Sequence, residues 1–172
     1  MTRSPAKRVA FYAAALILSL ALSYLEILLP LPIPLPGVKL GLANLITLLL
    51  LIDEKPQYIL LLLISRVILC ALLFGTFISF IYSLSGAVLS FAGMLLIKRL
   101  YPKRITLIGV SVIGACMHNI GQVIAACMIL GSTKMLYYMP PLILVAIVTG
   151  FVIGGCANIL SPRLKKAFSH LN

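Results

Sequence analysis

The sequence predicts an all-α, polytopic membrane protein with six transmembrane helices in a single domain. Of its 172 residues, 62 % are hydrophobic and 10 % are charged, whereas a soluble domain is about half apolar and about a quarter charged. With a mean hydropathy of +1.18, the chain lacks the polar groups to cover a water-facing surface, which excludes a soluble enzyme. Continuous apolar runs such as Leu42–Ile52 exclude a membrane β-barrel, whose strands alternate apolar and polar residues.

Six apolar stretches approach the length of about 20 helical residues that a bilayer crossing requires. They lie at about residues 9–29, 40–52, 57–74, 77–97, 105–130 and 140–160. The first is predicted to be an uncleaved span, because its apolar stretch is too long for a signal peptide. The second has only 13 residues and is either a short crossing or a re-entrant segment.

Prolines and glycines mark the connections between these stretches. Residues 30–37 carry a proline at every second position, which predicts a stiff, extended loop because proline lacks a backbone N–H. Gly75-Thr76 is a break between the third and fourth spans. Pro140-Pro141 opens the sixth span, and Pro162 with the basic residues after it is predicted to end that span.

The net charge of +11 predicts orientation in the membrane rather than binding of nucleic acid. The N-terminus, the 53–55 turn, the 98–104 loop and the C-terminus together hold 11 of the 14 Lys and Arg residues. The opposite side holds only Lys39 and Lys134. By the positive-inside rule both termini are cytoplasmic, in a bacterial cell membrane whose anionic lipids are expected partners.

One arginine lies inside an apolar span. Arg66 is near the middle of the third span, where a charged side chain costs about 2.5–3.5 kcal/mol on insertion scales. It either pairs with an acidic residue such as Glu26 or forms the cationic floor of a pocket for an anionic ligand. We favour the pocket, because charged side chains within spans usually line a site or a cavity.

Two further charges flank the proline loop. Glu26, near the outer end of the first span, either reaches the interface or pairs with Lys39 or Arg66. Lys39 either extends to lipid headgroups or contributes to an anion site near a helix N-terminus. We predict that Lys39 and the proline loop form the outer lid of the pocket.

Uncharged polar side chains cluster in the fifth span. His118 and Gln122 are four residues apart and share a face, while Asn119 lies on the adjoining stripe. They either hydrogen-bond to neighbouring helices, at about 0.6 kcal/mol per contact, or line the pocket, which we favour slightly. The predicted substrate-binding residues are Lys39, Asn44, Arg66, His118, Asn119 and Gln122.

The residue inventory argues against catalysis, a bound metal and a cofactor. The chain has no GxxxxGK[ST] loop for nucleotide binding. Its acidic residues, Glu26, Asp53 and Glu54, are too few and too scattered for the magnesium sites of prenyl transfer. The second histidine, His170, lies far along the chain from His118. The four cysteines form no CxxC pair and are predicted to be small core residues.

Small residues four positions apart predict close helix packing. Gly150 and Gly154 form such a pair in the sixth span, and Ala10 and Ala14 form one in the first. If the alanine pair faces lipid, it is a docking face for another membrane protein.

Four motifs point to a family. They are Pro-Gly-Val-Lys-Leu-Gly-Leu-Ala-Asn-Leu-Ile-Thr at 36–47, Ser-Gly-Ala-Val-Leu-Ser at 85–90, Gly-Ala-Cys-Met-His-Asn-Ile-Gly-Gln at 114–122 and Leu-Tyr-Tyr-Met-Pro at 136–140. The chain resembles, over nearly its whole length, bacterial membrane proteins described as Gx transporters or as heptaprenyl diphosphate synthase component I. These are similar in turn to the six-helix substrate-binding subunits of energy-coupling-factor transporters.

The resemblance implies a subunit that captures a small anionic or amphipathic molecule, with energy supplied by separate ATPase and coupling subunits that dock on the Ala10/Ala14 face. The alternative that it implies is a membrane accessory subunit in isoprenoid or menaquinone synthesis. That subunit holds a prenyl diphosphate synthase through the basic 98–104 loop. Neither function involves nucleic acid.

Overall fold

Six α-helices make up most of the chain that the structure describes. This computed structural model describes residues 5–28 and 41–169, with side chains up to residue 162. The helices are α1 Pro5–Leu28, α2 Leu42–Asp53, α3 Pro56–Phe74, α4 Phe77–Lys98, α5 Leu107–Leu130 and α6 Met139–Ser169, with a 3-10 helix at Thr133–Tyr138. No strand occurs in the described ranges, which confirms the all-α prediction.

The helix boundaries follow from residues that satisfy the free backbone groups at helix ends. Thr76 and Ser79 form a reciprocal capping box at the start of α4, directly after the break at Gly75. The Thr106 side chain accepts a hydrogen bond from the backbone N–H of Gly109 at the start of α5. At its other end, α5 stops at Gly131, whose φ of 59° is left-handed.

Five segments are long and apolar enough to cross a membrane. They are Pro5–Leu28, Pro56–Phe74, Phe77–Lys98, Leu107–Leu130 and Thr133–Pro162. The sixth apolar helix, α2, has 12 residues, so it spans about 18 Å at the usual rise per residue. These lengths agree with a multi-pass membrane protein. The number of full crossings and the orientation stay predictions.

Helix α6 continues through Pro162 to Ser169, so this proline does not end the helix, although the apolar segment long enough to cross a membrane runs from Thr133 to Pro162. A proline inside a helix leaves the carbonyl four residues earlier without its usual N–H donor. Here that carbonyl belongs to Asn158, and the Ser161 hydroxyl donates a hydrogen bond to it at 3.5 Å. The side chain therefore replaces the lost backbone donor.

The short helix α2 lies at the centre of the bundle. It contacts each of the other α-helices, and half of its residues are buried. Its Leu48 and Leu51 pack into a core with Ile59 and Leu63 of α3 and Met94 of α4, all of them at most 2 % exposed. An apolar helix of this length is stable because tertiary packing, rather than the helix itself, supplies most of the stabilisation.

Helix α1 is attached loosely by comparison. In the described ranges it contacts only α2 and α3, and Ser19 is its single buried residue. Near its start, Tyr12 donates a hydrogen bond to Glu54 at 2.5 Å, and the Arg8 guanidinium lies 4.8 Å from the centroid of the Tyr58 ring. These contacts join α1 to the connection between α2 and α3, and we call them the inner tie.

Glycines allow α5 and α6 to approach closely. A Cβ on Gly150 would lie 2.6 Å from the Cα of Val112, and one on Gly154 would lie 2.5 Å from the Cα of Ile108. Both distances are shorter than any real contact, and the obstructing atoms belong to the backbone. The structure thus confirms that the Gly150/Gly154 stripe of α6 packs directly on its neighbour.

The α5–α6 contact predicts a difference between two adjacent glycines. We expect Gly154→Ala to lower stability by about 1–3 kcal/mol, because the added methyl group overpacks the interface. Gly155→Ala is the matched control, since nothing lies within 4 Å of a Cβ there. Thermal unfolding of the two variants in detergent tests this. Equal melting temperatures would contradict the packing described.

Candidate functional site

A pocket of about 220 Å³ opens between α1, α2, α3, α4 and α5. Its mouth lies where α1 and α3 end and where α2 and α4 begin, which is the end that the charge distribution predicts to be outside the cell. Its apolar wall includes Ile27, Ala71, Phe74 and Phe80. Its polar wall consists of Ser23, Glu26, Asn44, Arg66, Ser79, Ser83 and His118. Pockets for drug-sized ligands start at about 300 Å³, so this one suits a small molecule or the head group of a larger one.

Arg66 forms the floor of the pocket near the middle of α3. The side chain is only 6 % exposed, and no hydrogen bond joins its guanidinium to another residue of the described ranges. Glu26 and Cys70 lie within electrostatic reach. A buried guanidinium has five N–H donors, and burying a charge without hydrogen bonds is costly. The pocket is therefore built to hold water or an anion against Arg66.

Glu26 reaches inward from the outer end of α1. Gly41, with φ of 76°, precedes α2 and offers no side chain to cap it. Instead the Glu26 carboxylate accepts a hydrogen bond from the backbone N–H of Leu42, the first residue of α2. A carboxylate at a helix N-terminus is stabilised by the helix dipole. The carboxylate also lies within electrostatic reach of Arg66, while the alternative of a pair with Lys39 falls outside the described residues.

Three of the predicted site residues come together in this pocket. Asn44 in the first turn of α2, Arg66 of α3 and His118 of α5 all line it. Amide, guanidinium and imidazole together offer several hydrogen-bond donors toward one small volume. Lys39 and the proline loop, predicted to form the lid, lie outside the described residues.

The other two predicted residues lie elsewhere. Asn119 is buried and donates a hydrogen bond of 2.8 Å to the carbonyl oxygen of Leu142, so it joins α5 to α6. Gln122 is buried against Gly86 of α4, and its Oε1 has no partner in the described ranges. Neither lines the pocket. Their assignment to the substrate site stays a prediction.

Serine residues of the wall were missed as site residues. None of Ser23, Ser79 and Ser83 was predicted to be a site residue. The available signal was spacing, because Ser23 precedes Glu26 by three residues and so shares its face of α1. Hydroxyl groups of this kind hydrogen-bond to water or to a ligand.

A second, smaller cavity lies behind Asn44. Asn44 of α2, Ser90 of α4 and Ser111 of α5 line it, and its volume is about 10 Å³. The Ser90 hydroxyl is buried and has no partner in the described part of the chain. A cavity of this size with three polar groups is at the lower limit for one water molecule. Asn44 also lines the main pocket, so it separates the two spaces.

The described residues contain no group of three or more His, Cys, Asp or Glu that could hold a metal ion. The two carboxylates with described contacts lie at opposite ends of the bundle, Glu26 at the pocket and Glu54 at the inner tie. The arrangement of the pocket is therefore suited to binding an anion and offers no paired carboxylates for general acid–base chemistry.

Comparison with known proteins adds a family. A family model described as heptaprenyl diphosphate synthase component I matches residues 15–160, a range that includes every residue of the pocket wall. No curated protein and no solved structure matches the chain. None of these comparisons finds the similarity to energy-coupling-factor subunits, which stays a prediction.

A substitution of Asn119 tests whether this residue joins two helices or binds the ligand. We expect Asn119→Leu to reduce stability by about 0.5–1.5 kcal/mol, because the hydrogen bond that joins α5 to the Leu142 carbonyl of α6 is lost. Ligand-induced stabilisation should be unchanged, since Asn119 does not line the pocket. Melting temperatures measured with and without ligand separate the two effects. Loss of the ligand effect in a stable Asn119→Leu protein would instead place Asn119 in the site.

Proposed function

The chain belongs to the heptaprenyl diphosphate synthase component I family, and from this we propose that it is a membrane-embedded, non-catalytic subunit that works with a prenyl diphosphate synthase. The observation that carries the proposal is the family match over residues 15–160. The family name implies a partner enzyme subunit. In this proposal the partner performs prenyl transfer, and the membrane subunit positions it at the bilayer where long prenyl products accumulate.

The scarcity of carboxylates supports a non-catalytic role. Enzymes that handle phosphate groups hold Mg²⁺ with carboxylates and with the substrate's own phosphates. This chain has three acidic residues, of which Glu26 caps α2 and Glu54 accepts from Tyr12. Both contacts are structural, so a partner must provide the magnesium site.

The basic 98–104 loop is the proposed contact for that partner. Arg99, Lys103 and Arg104 are exposed, and backbone hydrogen bonds from Tyr101 to Lys98 and from Arg104 to Leu100 hold the loop in successive turns. By the charge distribution the loop faces the cytoplasm, where a soluble enzyme would meet it. A compact patch of positive charge suits an acidic protein surface.

A charge-neutralised loop tests the partner. In a variant with Lys98, Arg99, Lys103 and Arg104 changed to Gln, we expect the prenyl synthase to be lost from affinity purifications in mild detergent. The matched control changes Arg163, Lys165 and Lys166 to Gln, which removes basic residues from the same predicted side. Quantitative mass spectrometry of the co-purified proteins measures the result. A loop variant that retains the synthase at the wild-type level would contradict the proposed contact.

The pocket supports a second candidate function. A cationic, apolar-walled pocket at the predicted outer face is what a substrate-capture subunit of a transporter needs, and the proposed ligand is a small anionic or amphipathic molecule. Discontinuous or short helices that direct their N-termini at an anionic group recur in transporters, and α2 has this arrangement. The same purification separates the two functions, because ATPase and coupling subunits in place of a synthase would favour transport.

Arg66 provides the test of ligand binding in either function. We expect a small anion to co-purify with the wild-type protein and to be absent from Arg66→Gln, because the guanidinium is the charge at the floor of the pocket. Lys134→Gln is the control, since it removes one positive charge from the predicted outer side away from the pocket. Mass spectrometry of the extracted ligand measures this. An equal amount of the anion bound to Arg66→Gln would rule out the pocket as its site.

A further inference from the structure

A polar contact joins the outer end of α1 to α2. The Glu26 carboxylate accepts the first N–H of α2 and lies within electrostatic reach of the Arg66 guanidinium. We call this contact the outer tie. It brings the negative charge of Glu26 close to the Arg66 guanidinium and to the N-terminus of α2, which both attract negative charge.

Among the described residues of the pocket, the charges nearly balance while the outer tie is in place. Arg66 contributes one positive charge, and the N-terminus of α2 contributes about half of one. Glu26 opposes them from the same wall of the pocket. An entering anion therefore meets little surplus positive charge, and like charges held close together in a poorly solvated site repel strongly.

The anion and Glu26 also require the same partners. The guanidinium donors and the N–H of Leu42 are the groups that a carboxylate or phosphate binds best. We propose that Glu26 is a built-in competitor of the ligand, so that an anion binds near Arg66 by displacing the Glu26 carboxylate from the N-terminus of α2. This inference rests on the proposed function of the pocket as an anion site.

Displacement has a structural consequence for α1. The helix contacts only α2 and α3 in the described ranges and has one buried residue, Ser19. Loss of the outer tie leaves the outer half of α1 with the ring contact between Tyr24 and Phe74 of α3, whose centroids are 4.9 Å apart. The other end of α1 stays held by the inner tie of Tyr12 and Arg8. Ligand binding therefore loosens the half of α1 that follows Ser19, while the core around α2 remains packed.

Neutralising the competitor tests the inference directly. The probe is inorganic diphosphate, titrated against the full-length protein in detergent at fixed ionic strength by calorimetry. We expect Glu26→Gln to bind diphosphate at least about tenfold more tightly than wild type, because one nearby negative charge is removed. Asp53→Asn is the matched control, since it changes net charge equally but lies at the other end of α2. We expect its affinity to equal that of wild type.

The possible results separate the inference from the proposed function. If wild type and Glu26→Gln bind diphosphate with equal affinity, or if Glu26→Gln binds more weakly, then Glu26 does not compete with the ligand. The proposal that the pocket binds anions would still hold. Equal tightening in Asp53→Asn would also overturn the competition, because overall charge would then explain the change. Absence of binding in all three proteins would overturn both the inference and the anion pocket.

A second measurement uses the wild-type protein and does not depend on a variant that folds. We expect saturating diphosphate to speed amide hydrogen exchange in residues 19–28, because the outer tie no longer holds this part of α1. Exchange in α6, which contributes no residue to the pocket wall, is the internal control. Unchanged or slower exchange in residues 19–28 would show that ligand and Glu26 bind together, and would overturn the inference.

Discussion

The buried guanidinium of Arg66 is the constraint around which the bundle is arranged. A charged side chain at this depth is costly in hydrocarbon. If the groups that balance its charge are removed, the buried charge left behind lowers stability strongly. The surrounding helices respond in two ways. They leave a pocket of about 220 Å³ open to it, and they bring the Glu26 carboxylate within electrostatic reach. Arg66 of α3 and His118 of α5 both line this pocket.

The short helix α2 makes this arrangement possible. A helix of ordinary length would carry its N-terminus to the membrane surface, whereas 12 residues allow the N-terminus to open into the pocket. The exposed N–H groups at a helix start need acceptors, and Gly41 has no side chain to supply one. Glu26 therefore serves two groups at once, the Leu42 N–H and Arg66. From the sequence, the short length left open whether this stretch is a crossing or a re-entrant segment. In the structure, the same short length places the N-terminus of α2 at the pocket.

The sequence alone singled out Asn44, Arg66 and His118, which line one pocket. It could not show that the neighbouring helix supplies a hydrogen-bond partner for Asn119. Asn119 follows His118 by one position, which turns it by about 100° onto Leu142 of α6. Spacing shows which residues of a helix share a face, but the partner of that face depends on tertiary packing. The same holds for Pro162, because its tolerance within α6 depends on the Ser161 hydroxyl.

Helices α4 and α1 differ in how tightly they are packed, and this difference affects how a ligand in the pocket could influence a partner protein. Helix α4 begins at the pocket and ends at the basic loop, about 33 Å away for its 22 residues. It is locked to α5, since a Cβ on Gly121 would lie 2.6 Å from the Ser85 carbonyl oxygen. A packed pair of this kind moves little. Helix α1 has few contacts, and its inner tie ends on Glu54, beside the turn that the charge distribution assigns to the cytoplasm. In the proposed competition between ligand and Glu26, α1 is therefore a better route than α4 and α5 for transmitting occupancy of the pocket to that turn.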